Sequence, residues 1–166
     1  MVAIDSPYAL AMTDPRIVGD VLAAIDFSDR SDAIVAEGLA LARASGGTLH
    51  LLHVAAGEPA LAGYDKDAIS PFTRQERAGA LTREHQRLRE IAERVAAPDL
   101  EVTPLVVMGA TAERILEAAE HVGASHIVIG SHGHGGIHHL LVGSVTEEVI
   151  RHAVGPVVVV PVKPAS

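Results

Sequence analysis

The chain has 166 residues, a length that suits one domain, and its 48% hydrophobic and 20% charged residues exclude an intrinsically disordered protein. Its formal net charge is −8, and its lysines and arginines form no cluster typical of a surface that binds nucleic acid. Two phenylalanines, two tyrosines and no tryptophan also argue against a surface that recognises bases or sugars by aromatic stacking.

Apolar periodicity predicts strands that alternate with helices along the whole chain. The predicted strands cover residues 21–25, 48–54, 101–107, 126–129 and 157–162, and the predicted helices cover about 28–45, 74–96, 111–122 and 144–153.

Short polar and glycine-containing segments mark the ends of these elements. Ser28 and Ser31 are candidate N-caps for the first helix, because serine side chains accept hydrogen bonds from the free amides of a helix start. Gly46 and Gly47 end that helix. Residues 55–73 are rich in glycine, proline and alanine and predict a loop.

The alternation predicts an α/β fold: a doubly wound, five-stranded parallel sheet with helices on both faces and the strand order 3-2-1-4-5. In such sheets a ligand lies beyond the carboxyl ends of the strands, where the strand order reverses. Asp26 ends the first strand and Gly130 follows the fourth. These two residues are therefore expected to flank the ligand crevice.

The segment after the fourth strand has the spacing of a phosphate-binding motif. Gly130 and Gly133 turn the chain, and nine residues later Gly143 and Ser144 open a helix. Glycines let backbone N–H groups approach a phosphate without an intervening Cβ, and a helix N-terminus favours an anion. The motif therefore predicts a nucleotide site.

Each of these residues also has an interpretation without a ligand. Ser144 and Glu147 have the spacing of a capping box, so Ser144 could only cap its helix. Asp26 could likewise cap the first helix. The glycines from Gly133 onward could fill a flexible loop.

The glycine motif resembles the nucleotide-binding signature of the universal stress protein family. The resemblance extends over residues 17–162 and includes four further segments: Ala24-Ile-Asp26-Phe-Ser28, Leu51-Leu-His53-Val54, Gly143-Ser-Val-Thr146-Glu147 and Pro156-Val-Val-Val-Val160-Pro161. The chain keeps every glycine position of the pattern, and so it is similar to the branch of the family that binds ATP.

The resemblance implies an ATP site with a divided set of roles. Asp26 would contact the ribose or an associated Mg²⁺. The adenine would be lined by Val54, Ala24 and Ile25 and bordered by Met108 and Gly109, which turn the chain after the third strand. The phosphates would be bound by Gly130, His132, Gly133, Gly143, Ser144 and Val145.

The sequence carries no convincing catalytic set. It lacks the lysine-containing phosphate loop, the nucleophile elbow and the serine-rich run of adenylating enzymes. We expect ATP binding with slow or no hydrolysis, in a regulatory protein whose loop order near residues 130–143 responds to the nucleotide. The alternatives are a slow ATPase or self-phosphorylating protein, with Ser131, Ser144 or Thr146 as acceptor, and a nucleotide-free dimeric adaptor.

Four histidines, His132, His134, His138 and His139, crowd one predicted loop. His134 and His138 could hold a metal ion if this loop were helical, but no cysteine or carboxylate lies among them. We expect a solvated loop in which His132 contacts phosphate, and no metal site. His53 is interpreted as part of the second strand's pattern.

The cellular compartment is predicted from sequence features that the chain lacks, and a partner is predicted from its apolar last strand. The chain has no cysteine, no apolar run of the roughly 18 residues that span a membrane, and no signal peptide at its start, so we expect a cytoplasmic protein. Residues 1–16 are an extension, and residues 17–163 are the domain. The apolar strand Val157–Val162 predicts a homodimer, as the family resemblance also implies. An unidentified regulatory protein is a further candidate partner.

Overall fold

The computed structural model describes residues 18–56, 74–131 and 142–161, where five strands alternate with four helices. The strands are β1 (Gly19–Ala24), β2 (Gly46–Ala56), β3 (Val102–Gly109), β4 (His126–Gly130) and β5 (Val157–Val160), and the helices are α1 (Ser31–Ser45), α2 (Arg74–Val95), α3 (Thr111–Val122) and α4 (Ser144–His152). The predicted N-terminal extension, nearly all of the 55–73 loop, the histidine-rich segment and Val162 lie outside the described residues.

The five strands form one parallel sheet in the order β3-β2-β1-β4-β5, which confirms the predicted fold and strand order. At the centre, Ala24 of β1 lies opposite Leu52 of β2 and Ile129 of β4. The chain grows towards β3 on one side of β1 and towards β5 on the other. The crevice of a doubly wound sheet therefore falls between the carboxyl ends of β1 and β4.

Alternating strand residues build one apolar layer on each face of the sheet, because successive side chains of a strand point to opposite faces. In the first layer, Val21, Ala23, Leu49, Leu51 and Val128 of the strands pack against α1 and α2, which contributes Leu88. In the second, Leu22, Leu52, Ile127 and Ile129 of the strands pack against Ile115 of α3 and Val149 of α4. Among the described residues, no helix is both long and apolar enough to cross a membrane.

Strand ends differ from the predicted ones where neighbouring strands supply partners. β1 stops at Ala24, one residue early. The predicted turn at Met108 and Gly109 is wrong, since both residues continue β3 and lie opposite Ala55 and Ala56 of β2. The pairing of β2 with β3 extends both strands beyond their apolar cores.

Both serine caps predicted for α1 are also wrong. The helix starts at Ser31, its N-cap is Arg30, and no side chain caps it. The Ser28 hydroxyl lies 3.4 Å from the N–H of Arg30, which is the N-cap residue itself and not an amide of the first helical turn. The same hydroxyl donates to the carboxylate of Asp26 at 2.6 Å. Ser28 therefore belongs to the loop between β1 and α1, which contains Asp26, and Ser31 is the first residue of the helix.

Candidate functional site

The fold brings Asp26 and Gly130 to the same edge of the sheet. Asp26 follows β1 by two residues, and Gly130 is the last residue of β4. Because Ala24 pairs with Ile129, the chain segments after both strands leave the sheet side by side. The crevice that the strand order predicts is thus flanked by these two residues.

The carboxylate of Asp26 is held within the loop that follows β1. It is half-buried, and its Oδ1 accepts hydrogen bonds from the Ser28 N–H at 3.1 Å and the Ser28 hydroxyl at 2.6 Å. The Ser31 hydroxyl lies 3.5 Å from the same oxygen. A bond from an aspartate side chain to the backbone two residues on is an Asx-turn. The turn orients the carboxylate, and the interpretation of Asp26 as the cap of α1 is wrong.

The start of α4 lies against the end of β4. Gly143 is the N-cap and its N–H donates to the carbonyl of Ser131 at 2.7 Å. The first bond within the helix runs from the Glu147 N–H to the Gly143 carbonyl at 2.9 Å. The amides of residues 144–146 therefore have no acceptor inside the helix, as in any first turn, and can bind an anion.

The capping-box interpretation of Ser144 is wrong. Ser144 is the first helical residue, not the N-cap, and Gly143 has no side chain with which to cap. The Ser144 side chain is exposed, and Glu147 instead pairs with Arg151 at 2.6 Å. The hydroxyl of Ser144 is thus placed at the helix start facing solvent.

Thr146 fixes α4 to β4 from inside. Its side chain is buried, and its hydroxyl donates to the carbonyl of Gly130 at 2.8 Å. Ser131 continues the strand pairing, since its N–H donates to the carbonyl of Val160 at 2.9 Å. Sequence reasoning considered both residues only as phosphate acceptors. The available signal was a threonine on the apolar face of an amphipathic helix.

The residues predicted to line the adenine divide between the two faces of the sheet. Ala24 and Val54 contact the apolar layer under α3 and α4, as does Val145 of α4, which was predicted to bind phosphate. Ile25 is buried in the layer under α1 and α2, and its N–H donates to the carbonyl of Leu52 at 2.9 Å. Ala24 and Val54 therefore share one face of the sheet, and Ile25 lies on the other.

Met108 and Gly109 end β3, two strands or about 10 Å from β1 at the usual strand spacing. Met108 is 46% exposed. Gly109 has φ +140, and a Cβ there would come within 3.0 Å of Arg114 Nε. Arg114 is itself paired with Glu117 at 2.6 Å. These residues border the same edge of the sheet at its far end.

His132 and Gly133 lie outside the described residues, as do the other histidines of their segment. Among the residues that the structure describes, no group of three or more histidine, aspartate or glutamate side chains could hold a metal ion.

A cluster of four side chains beside Asp26 was not foreseen. Phe27 has φ +60, and its ring lies 4.1 Å from the ring of His53 on β2, measured between centroids. From α2, the guanidinium of Arg87 lies 4.6 Å from the Phe27 ring centre, and Glu84 Oε2 lies 3.8 Å from His53 Nε2. His53 is buried, so it belongs to this cluster as well as to the strand pattern.

This geometry agrees with a match over nearly the whole chain to the model of the universal stress protein family, which covers residues 18–161. The chain belongs to the universal stress protein family. The match includes all five strands and all four helices.

Relatives within the family are distant. Universal stress protein MJ0577 of Methanocaldococcus jannaschii is 35% identical over 74 residues, which are 45% of this chain and 46% of the relative. The matched stretch thus spans about half the length of that relative. Universal stress protein A homolog 1 of Coxiella burnetii is 28% identical over 121 residues, or 73% of this chain and 81% of the relative.

Solved structures extend the likeness to the full domain. The structure of MJ0577 superposes on 90% of this chain and 99% of its own with a TM-score of 0.73 and 27% identity. A universal stress protein solved in complex with cAMP covers 87% of this chain and 98% of its own, with a TM-score of 0.59 and 23% identity, and shows the same fold.

Proposed function

We propose that this universal stress protein is a regulatory protein that binds ATP between the carboxyl ends of β1 and β4. The observation that carries the proposal is the position of the α4 N-terminus. Two hydrogen bonds, from Gly143 to Ser131 and from Thr146 to Gly130, hold this helix start against the end of β4. Its free first-turn amides are thereby fixed in the crevice that Asp26 flanks on the other side.

The groups present fit a nucleotide with Mg²⁺. A helix start with glycine at the N-cap suits a phosphate chain, since it offers N–H donors and no Cβ at the closest approach. Mg²⁺ takes one or two protein carboxylates together with phosphate oxygens, and Asp26 can supply one. Ala24 and Val54 provide aliphatic surface for the base, and Val145 belongs to the helix start that offers its amides to phosphate. The family resemblance adds His132 and Gly133, outside the described residues, to the phosphate set.

We propose binding with slow or no hydrolysis. Phosphoryl transfer needs a positioned nucleophile, a metal clamp and compensation of developing charge. Of these three, Asp26 can supply a ligand for the metal ion. Self-phosphorylation at Thr146 is disfavoured because its hydroxyl is buried and donates to Gly130, whereas Ser144 is exposed at the helix start. Turnover that depends on Asp26 and Mg²⁺ would favour the enzyme alternative.

The nucleotide acts, in this proposal, by changing partner choice or dimer state, because a ligand shifts an equilibrium by its different affinity for the two states. The protein is placed in the cytoplasm, which its lack of cysteine supports. The relative solved with cAMP makes cyclic nucleotides and AMP necessary competitors in any binding test.

The first experiment is calorimetric titration of ATP, ADP, AMP and cAMP, with and without Mg²⁺, into wild type and Gly143→Val, after denaturation of a separate sample to identify any bound nucleotide. Gly143 has φ −72 and ψ 156, a conformation open to valine, so the variant is expected to fold. Its branched side chain would obstruct the approach of phosphate. We expect ATP affinity to fall at least tenfold, or about 1.4 kcal/mol.

Gly155→Val is the matched control. Gly155 precedes β5 at the opposite end of the sheet, and a Cβ there would meet nothing closer than the Ser125 carbonyl at 3.4 Å. This variant should bind ATP like wild type. Absence of bound nucleotide together with no heat from any nucleotide would reject the proposal and leave the dimeric adaptor.

A further inference from the structure

Phe27, the residue directly after Asp26, has a backbone conformation that phenylalanine seldom adopts. Its φ is +60, and it is the only residue other than glycine with positive φ in the part of the chain that the structure describes. A left-handed conformation brings Cβ close to the backbone and is unfavourable for bulky side chains. Such a strained conformation persists only where surrounding contacts hold it in place, and strained residues are concentrated at functional sites.

Contacts from two other elements hold Phe27 in this conformation. On the β2 side, its ring meets the His53 ring at 4.1 Å and 37°. On the α2 side, Arg87 places its guanidinium 4.6 Å from the ring centre, and its Nη2 donates to the Phe27 carbonyl at 3.2 Å. Arg87 thus contacts both the side chain and the backbone of the strained residue.

His53 is fixed as firmly as the ring that it supports. It is 8% exposed, and its Nδ1 lies 3.0 Å from the Ile25 carbonyl. Because a carbonyl oxygen only accepts, Nδ1 carries the hydrogen and donates to the backbone next to Asp26. Its Nε2 lies 3.8 Å from Glu84 Oε2 on α2. The histidine therefore links the end of β1 to α2 on the face opposite Val54.

The consequence of this arrangement falls on Asp26. The Asx-turn joins the Asp26 carboxylate to the N–H and hydroxyl of Ser28, and Phe27 is the residue between them. If φ of Phe27 returned to the common negative range, the Ser28 amide would turn away from the carboxylate. The position of the carboxylate thus depends on the backbone of Phe27.

We propose that Phe27 is a positioning residue for the nucleotide site: held by His53 and Arg87, it keeps the Asp26 carboxylate in the orientation that binds the ribose or Mg²⁺ of ATP. This inference rests on the proposed function. Asparagine or glycine would adopt the same φ with less strain. The phenylalanine ring is therefore explained by its contacts with His53 and Arg87, which fix the loop that contains Asp26 relative to α2.

The test compares Phe27→Ala with Phe27→Asn by ATP calorimetry. Both variants lose the ring, but asparagine tolerates a left-handed backbone and alanine does not. We expect about a tenfold loss of ATP affinity in Phe27→Ala, because only a fraction of its molecules would present the carboxylate correctly. Phe27→Asn should stay within about threefold of wild type. Equal losses in both variants would mean that the ring itself contacts ligand and would overturn the positioning role.

A double-mutant cycle shows whether Phe27 acts through Asp26. In an Asp26→Ala background, Phe27→Ala should cause no further loss of affinity, since the group it positions is gone. Losses that add would overturn the proposal. Arg87→Met should weaken ATP binding in the same direction as Phe27→Ala, and Arg89→Met, at an exposed arginine of the same helix, is the matched control.

A measurement without nucleotide separates the two possible failures. Hydrogen exchange of the Ser28 amide should be faster in Phe27→Ala and Arg87→Met than in wild type and Arg89→Met, because the turn opens. Unchanged exchange with intact ATP binding would overturn the positioning role alone. A wild type that binds no nucleotide would overturn the proposed function and the positioning role together.

Discussion

Single carboxylates at the two ends of β1 have different surroundings. At its amino end, Asp20 accepts the Thr48 N–H at 2.8 Å and faces His50 Nε2 at 3.1 Å. The bond from Thr48 is the main cause that holds the pKa of Asp20 below its usual value. Burial acts in the opposite direction, and His50 lowers the pKa further. Asp20 is thus a structural charge, whereas Asp26 at the other end lies in the candidate site.

Asp20→Asn should make stability less dependent on pH in acid. A carboxyl with a lowered folded-state pKa stabilises the protein above its unfolded pKa of about 3.9 and loses that contribution as pH falls through the folded-state value. The variant should therefore be less stable than wild type near pH 5.5, and the difference should narrow progressively as pH falls below about 3.9. Urea denaturation at several pH values measures this.

Asp32→Asn is the control for this pH series. The Asp32 side chain is 87% exposed and lies 3.8 Å from Arg94, so its exchange should change stability little at any pH. A constant gap between Asp20→Asn and wild type from pH 5.5 to 3 would contradict the account of Asp20.

Residue-level prediction succeeded for placement and failed for side-chain partners. The sheet order and the strand ends place Asp26 and Gly130 at the crevice, because such placement depends on backbone topology alone. The left-handed Phe27 and the burial of His53 could not be predicted. The conformation of Phe27 involves Arg87, 60 residues further along the chain, and His53 packs beside Glu84 of α2. No local sequence pattern specifies these contacts.

Helices and strands begin where backbone geometry allows, and adjacent glycines can serve different purposes. Gly46 caps α1 with φ +67, and a Cβ there would meet nothing within 4 Å. Gly47 has no positive φ, but its Cβ would collide with the backbone of Gly19 and Asp20. The sequence predicts a helix stop from the pair. The close approach of β1 to the second glycine follows only from the sheet.

Gly47→Ala should therefore cost more stability than Gly46→Asn. The alanine must displace backbone of β1, which we expect to lower the free energy of unfolding by about 1–3 kcal/mol or more. The asparagine occupies open space in a conformation it tolerates, so the loss should stay below about 1 kcal/mol. Equilibrium denaturation of both variants in urea is the measurement. Equal losses would show that helix termination, not strand approach, governs both positions.

At the scale of the whole molecule, β3 and β5 are the two edges of the sheet. The β5 edge is the more apolar, with four consecutive valines, and Ile150 and Val154 near it are exposed at 47% and 105%. The carbonyl of Pro156 accepts a hydrogen bond from Ile127 of β4, and that of Val160 accepts one from Ser131, which follows β4. By strand alternation, the N–H groups of Val157 and Val159 point away from β4, towards the outer edge of the sheet that the described residues form.

Val159→Pro should prevent the formation of a dimer that pairs through β5. Proline removes an N–H that faces away from β4, a position that edge strands tolerate, so the fold should survive. If copies pair through β5, the variant should sediment as a monomer at micromolar concentrations where wild type is a dimer. Val159→Ala, which keeps the N–H and loses side-chain contact, should still dimerise. A monomeric wild type, or a Val159→Pro dimer of unchanged affinity, would contradict pairing through this strand.

The central pairing of the sheet joins distant parts of the chain, since Val21 of β1 lies opposite His126 of β4. Such long-range parallel pairing forms slowly, because the loop between the partners must close first. The crevice between these strands, and the helix start at Gly143 that completes it, can therefore assemble only after most of the polypeptide has been synthesised. A nascent chain that ends before α4 carries Asp26 and its turn but lacks the helix that would face them. Nucleotide binding in the crevice between β1 and β4 would then distinguish the fully synthesised chain from one that ends before α4.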